Sequence, residues 1–154
     1  MDYDRFTVKA REAVQDASGL ARKNDHPQVD VEHLLAALLE QEDGVVPPLL
    51  DRVGVDRAGL SSRAAQAVAA KPKVYGESAQ LYLSPAASKT LSKAEAEAEA
   101  MKDEYVAAEH VLLAMLQDEG ATGRLLKEFG LAKAPLLAAL KDVLAAMEKF
   151  KPKD

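Results

Sequence analysis

The chain is written twice, and that repetition limits its folds more than any other feature. Val31-Glu32-His33-Leu34-Leu35-Ala36-Ala37-Leu38-Leu39 returns as Ala108-Glu109-His110-Val111-Leu112-Leu113-Ala114-Met115-Leu116, an offset of 77 residues from Glu32 to Glu109. Leu49-Leu50-Asp51-Arg52-Val53-Gly54-Val55 returns as Leu125-Leu126-Lys127-Glu128-Phe129-Gly130-Leu131 at an offset of 76, so one loop residue has been lost in between. Upstream, the offset of 77 pairs Thr7 with Ser84, Ala10 with Ala87, Val14 with Leu91 and Ala17 with Ala94. Three blocks matching in the same order mark an internal repeat.

Each half divides into four helices. In the first, Thr7 is an N-cap candidate, and Ala10, Ala13, Val14, Ala17, Leu20 and Ala21 form an apolar stripe at helical spacing. In the second, Ser84 takes the cap and Pro85 falls at the first helical position, where its missing N–H costs nothing. The second helix of each half starts at Asp30 or near Ala107, with Glu32 and Glu109 in the first turn at the positive end of the helix dipole. A short third helix stops before Gly54 or Gly130. The fourth is expected over about 57–70, and over 133–150 in the second half. The spacing predicts an all-α, eight-helix domain made of two pseudo-two-fold-related four-helix repeats. Its expected extent is 1–154: repeat 1 over about 4–70, a connector over 71–83 with Pro72 and Gly76, and repeat 2 over about 84–150. Neither half has enough apolar surface to stand alone, so the two are expected to pack face to face.

Composition supports helices and narrows function. Ala, Leu, Glu and Lys dominate while aromatics are 5% of the 154 residues. The run 94–100, alternating Ala and Glu, is expected as a solvated helix face with Ala inward. With no cysteine, disulfides, thiolate metal sites and cysteine nucleophiles are excluded. No apolar stretch approaches the roughly 18 residues that span a bilayer, and the start is not basic like a signal peptide, so a cytoplasmic protein without a membrane partner is expected. A net charge of −5 with interleaved signs, apart from the short Lys151-Pro152-Lys153 tail, argues against nucleic acid.

No catalytic constellation emerges. None of the eight glycines opens a phosphate-binding loop. Zinc chemistry needs two histidines a turn apart around a glutamate, whereas Glu32-His33 and Glu109-His110 are merely adjacent. No metal site is therefore expected, and His26, His33 and His110 are expected as helix-start residues facing solvent or a loop. Asp103 and Glu109 are the acidic pair of interest. Glu109 has a twin in Glu32, which a shared structural role would explain, whereas Asp103 is replaced by His26 in the first half, so no common fold requirement demands it. Thr7 can serve both as cap and as contact.

The doubled block, with 30–44, Lys71-Pro72-Lys73-Val74-Tyr75-Gly76 and 103–110, resembles the Clp N-terminal repeat domain over about residues 3–143. The connector with Tyr82-Leu83-Ser84 is more similar to the ClpB disaggregase branch than to the protease-partnered ClpC and ClpA branches. The resemblance implies a mobile module on a hexameric AAA+ ring that docks exposed hydrophobic segments of unfolded or aggregated polypeptides and passes them to a central pore. ATP would then be used only by AAA+ modules absent from this chain, and no cofactor is expected in it. The resemblance also implies that Thr7, Asp103 and Glu109 handle substrate. After Val143 the family turns through glycine into a linker, whereas here 144–150 continues helically, so an excised domain or a free-standing relative is expected.

On this reading the docking surface is a shallow apolar strip between the helix carrying Leu91 and Ala98 and the helix starting at Ala108. Asp103 and Glu109 edge it, with Tyr105 and His110 beside them, and the acids favour segments that mix Lys or Arg with apolar residues. Exchanging both acids is expected to leave stability nearly unchanged, because an exposed first-turn acid contributes only about 0.3–1 kcal/mol. Adaptor docking for a ClpC- or ClpA-type unfoldase is the alternative, and an enzyme lacks any signature to start from. The isolated domain is expected to be a monomer.

Overall fold

A computed structural model describes residues 2–75 and 81–149. Gly76 of the connector, residue 150 and the Lys151-Pro152-Lys153 tail lie outside the described residues. The described chain runs α1 (Val8–Lys23), β1 (Gln28–Val29), α2 (Val31–Leu39), α3 (Val46–Arg52), α4 (Arg57–Ala69), β2 (Tyr82–Leu83), α5 (Pro85–Ala100), α6 (Ala108–Met115), α7 (Ala121–Glu128) and α8 (Lys133–Lys149). The four-plus-four order is the one expected from the repeat.

Local chemistry sets the ends of these helices at equivalent places in both halves. The Thr7 hydroxyl accepts from the Ala10 N–H at 3.1 Å, and the Ser84 hydroxyl from the Ala87 N–H at 3.0 Å. At the other end, Asp25 and Lys102 both adopt positive φ, 57° and 59°. The next N–H then folds back in each half: His26 donates to the Ala21 carbonyl and Asp103 to the Ala98 carbonyl, both at 2.9 Å. Gly54 (φ 80°) and Gly130 (φ 85°) stop α3 and α7 in the left-handed region where glycine carries no Cβ penalty.

The core follows from the two helices that are apolar nearly all round, α2 and α6. Leu34, Leu35 and Leu38 of α2 and Leu112 and Met115 of α6 are fully buried. Against them lie the alanine stripes of α1 (Ala10, Ala13, Ala17, Ala21) and α5 (Ala87, Ala94, Ala98), small side chains that let backbones approach closely. The Ala/Glu run departs from expectation. Ala96 and Ala100 face out while Glu97 is buried, accepting from Gln117 Nε2 at 2.7 Å and Lys133 Nζ at 3.0 Å. Glu97 thereby ties α5 to the end of α6 and the start of α8.

The fold is not wholly helical. β1 and β2 pair in parallel, Gln28 opposite Tyr82 and Val29 opposite Leu83, and Phe6 bridges Val106 in the same sense. The offset of 77 carries Val29 onto Val106 and Leu83 back onto Phe6, so these are two copies of one device. In each copy the segment entering one half lies beside a loop of the other: Thr7 N–H donates to Val106 O at 2.9 Å, and Ser84 N–H to Val29 O at 2.8 Å. Backbone hydrogen bonds, not apolar packing alone, therefore hold the halves together, and each crossing delivers its cap residue directly to a helix start.

Candidate functional site

The Phe6–Val106 crossing gathers most of the residues singled out in the sequence. Thr7 caps α1 beside Val106, Asp103 and Tyr105 precede it on the incoming loop, and His110 follows in the first turn of α6. The Ala107 N–H donates to His110 Nδ1 at 2.8 Å, so Nδ1 is the acceptor and the proton resides on Nε2, which donates to Asp103 Oδ2 at 2.8 Å. Arg5 reaches the Glu104 carbonyl through Nε at 3.3 Å and its terminal amine at 3.2 Å, securing the same loop. Val8 and Tyr105, 60% and 51% exposed, are the apolar side chains the crossing presents to solvent.

The twin crossing has the same plan with different groups. The Asp30 N–H donates to His33 Nδ1 at 2.8 Å, and His33 Nε2–H points to His26 Nδ1 at 2.8 Å. All three histidines are buried and, of the two expected placements, take the one against a loop and not the one facing solvent, because each closes a loop onto a helix start. Burial holds His33 down at about 4, with His26 and Lys71 adding to the effect. His26 is lowered by burial and then by Lys73 and Lys71. By elimination His26 carries its proton on Nε2, a buried donor that faces the Lys71 backbone without a hydrogen bond of good geometry. The 77-residue comparison of His26 with Asp103 contained this difference, but not the inward direction of either side chain.

Glu32 and Glu109 are also more enclosed than first-turn position implied, each 8% exposed. Their surroundings differ. Glu32 accepts from the Thr122 hydroxyl of α7 at 3.2 Å and is ion-paired to Lys71, whose ammonium also meets Asp30 Oδ2 at 2.9 Å. Burial pulls Lys71 down, but its hydrogen bonds to Asp30 and Glu32 outweigh this and raise it. Burial likewise pushes Asp30 up, yet bonds from Lys71, Ser84 and the Val31 N–H bring it below the usual range. Glu109 has neither a hydrogen-bond nor an ion-pair partner among the described residues.

The expected strip between α5 and α6 is closed. Leu91 and Ala98 have no exposed surface, since the alanine stripe of α5 packs directly against α6 and seals the space a ligand would enter. Open apolar surface lies instead on both sides of α4. One groove of about 350 Å³ has Leu20, Ala36, Leu39, Ala65 and Val68 on its walls, and another of about 300 Å³ runs from Glu32 past Leu35, Ala64 and Leu125. Neither was legible in the sequence, where the alanines of α4 look like ordinary helix formers. No cluster of three or more potential metal ligands occurs among the described residues.

Two four-helix repeats exchanging entry segments, with apolar grooves and a solitary enclosed carboxylate, define a doubled helical repeat module. The family model of the Clp repeat (R) N-terminal domain matches residues 5–129, and the chain belongs to that family. It is 36% identical over 148 residues to the chaperone protein ClpB of Nitratidesulfovibrio vulgaris, covering 93% of this chain and 17% of that protein. Its fold is similar to the Hsp104 N-terminal domain of Candida albicans, with a TM-score of 0.80, 23% identity and 93% of both chains covered. It is also similar to a ClpV N-domain solved in complex with a VipB peptide, with a TM-score of 0.67, 18% identity, and 94% and 88% of the two chains covered.

Proposed function

We propose that this chain is the polypeptide-docking module of a ClpB-type disaggregase, engaging segments that combine a Lys or Arg with apolar residues. The observation that carries the reading is Glu109, an enclosed carboxylate without a partner whose twin is fully satisfied by Lys71 and Thr122. A buried charge is costly unless a counter-ion and hydrogen bonds meet it, so an incoming cation finds a site already desolvated. Val8 and Tyr105 on the neighbouring crossing and the grooves beside α4 supply apolar contact without sequence reading. The ClpV complex supports peptide docking as a use of this fold.

In this proposal ATP is used by AAA+ modules outside the chain, the domain itself needs no cofactor and catalyses nothing, and the setting is the cytoplasm. No helix among the described residues is long and apolar enough to cross a membrane. The test is fluorescence anisotropy with an unfolded, basic-plus-apolar client such as reduced, carboxymethylated lysozyme. Glu109→Gln is expected to weaken binding about tenfold, the loss of roughly 1.4 kcal/mol at a charge-assisted contact. Undiminished binding would remove Glu109 from the site.

A further inference from the structure

We propose that Glu32, with Asp30 and Thr122, is a second docking site for a lysine side chain of an extended polypeptide, and that this chain's own Lys71 fills it as an internal ligand. The inference rests on the polypeptide-docking reading of the second repeat and carries it to the first. Lys71 is the first residue beyond the C-cap of α4 and opens the connector Lys71-Pro72-Lys73-Val74-Tyr75. Its ammonium sits between the Asp30 and Glu32 carboxylates, and Thr122 from the other repeat completes the Glu32 hydrogen bonding. The rest of the segment runs without helix or strand. The Val74 N–H donates to the Asp25 carbonyl at 2.8 Å, while Val74 and Tyr75 themselves stand 59% and 75% exposed. A lysine buried by its head and followed by apolar residues on the surface has the composition proposed for a client.

Two further observations identify this as a place for a ligand and not only an internal ion pair. The about 300 Å³ groove continues from Glu32 along Leu35, Ala64, Ala67 and Leu125, giving room for an apolar neighbour of the lysine. On the other side, a cavity of about 160 Å³ is bounded by His26, Gln28, Asp30, Lys71 and Pro72, and the buried His26 Nε2–H there meets only the Lys71 backbone and makes no hydrogen bond of good geometry. A backbone carbonyl of a docked segment would satisfy it. The second repeat cannot fill its own site in the same way, because the offset of 76 that holds beyond the lost loop residue puts Met147, which carries no charge, at the position of Lys71. One repeat is thus self-occupied and the other open. A tethered side chain acts at an effective concentration in the millimolar range, so an external lysine competes poorly at Glu32 while Lys71 is present.

The test uses the full chain and an unstructured peptide holding one Lys among Leu and Ala. Titration calorimetry should give one peptide per wild-type chain and two per Lys71→Ala chain, with the new site moving the amide resonances of Glu32 and Thr122. Lys71→Arg, which keeps the cation, should stay at one. n-Butylammonium, a mimic of the missing side chain, should raise the melting temperature of Lys71→Ala, or restore its folding if it unfolds, while 1-butanol and the Glu32→Gln/Lys71→Ala protein show no such effect. A Lys71→Ala chain that binds no additional peptide and ignores butylammonium, or that responds equally to butanol, overturns the proposal. Glu109→Gln in the wild-type background keeps the two readings apart. If it binds normally while Lys71→Ala gains a site, the Glu109 assignment fails and this one stands; if it loses binding and Lys71→Ala gains none, the reverse holds.

Discussion

At the scale of single residues, the two acids of the Phe6–Val106 crossing should respond oppositely to removal. Glu109 is enclosed without a partner, so Glu109→Gln relieves a burial cost that its favourable place near the α6 dipole, about 0.3–1 kcal/mol, offsets only in part. The melting temperature should rise while client affinity falls, a pairing that a purely structural residue would not give. Asp103 accepts the Nε2–H of a buried histidine, and Asp103→Ala should cost about 1–3 kcal/mol by stranding that donor. Asp103→Asn retains an acceptor and should cost much less. Calorimetric melting of the three proteins checks this, and a stability-neutral Asp103→Ala would contradict the observed hydrogen bond. Any near-neutrality of the double exchange would therefore come from two opposed effects, because neither acid is a simple first-turn surface residue.

At the scale of elements, the twin caps are unequal despite equal sequence positions. Thr7 caps α1 from a partly exposed site, whereas the buried Ser84 both accepts from the Ala87 N–H and donates to Asp30 Oδ1 at 2.8 Å. Thr7→Ala should cost about 1 kcal/mol, and Ser84→Ala the upper part of the 0.5–2 kcal/mol range or beyond it. Urea unfolding of the pair decides it, and an equal loss at both sites would show that the Ser84–Asp30 bond adds nothing. In α7, Gly123 is helical and buried, and a Cβ there would run into the Asp118 carbonyl. Gly123→Ala should destabilise the protein despite alanine's better helix propensity, because backbone must move to admit the methyl group.

For the whole molecule, the buried histidine pair predicts an acid weakness. His33 has a folded value of about 4 against an ordinary 6.5, so the unfolded chain binds the extra proton first as pH falls. The contribution of this group is complete above about 6.5, declines through the interval down to about 4 and is constant below that. His26, lowered by burial and by Lys73 and Lys71, adds in the same direction. Urea midpoints measured from pH 7.5 to 4 should fall in that window, and the fall should shrink in His33→Gln, whose amide does not titrate. A pH-independent midpoint would mean that the ring protonates freely in the folded state.

The division of labour between sequence and tertiary structure follows the range of the forces. The helix order, the caps at Thr7 and Ser84, the stops at Gly54 and Gly130 and the two central apolar helices were all legible, because each depends on residues within a turn or two of its own position. The repeat itself was legible because the same local solution had to be encoded twice. The sequence could not show that the entry segments exchange between halves, since the Phe6–Val106 pairing joins residues 100 positions apart. Nor could it show that Leu91 and Ala98 are sealed beneath α6, or that Glu97 turns inward to Lys133. Above all, Glu32 and Glu109 both precede a histidine in the first turn of a central helix, yet they differ in what reaches them: Lys71 and Thr122 meet the first, and no described residue meets the second. A carboxylate's partner is set by three-dimensional proximity, because Coulomb attraction and desolvation depend on distance in space and not along the chain. The sequence by itself determined two equivalent first-turn carboxylates, and only the tertiary structure decided that one meets a cation and the other meets none of the described residues.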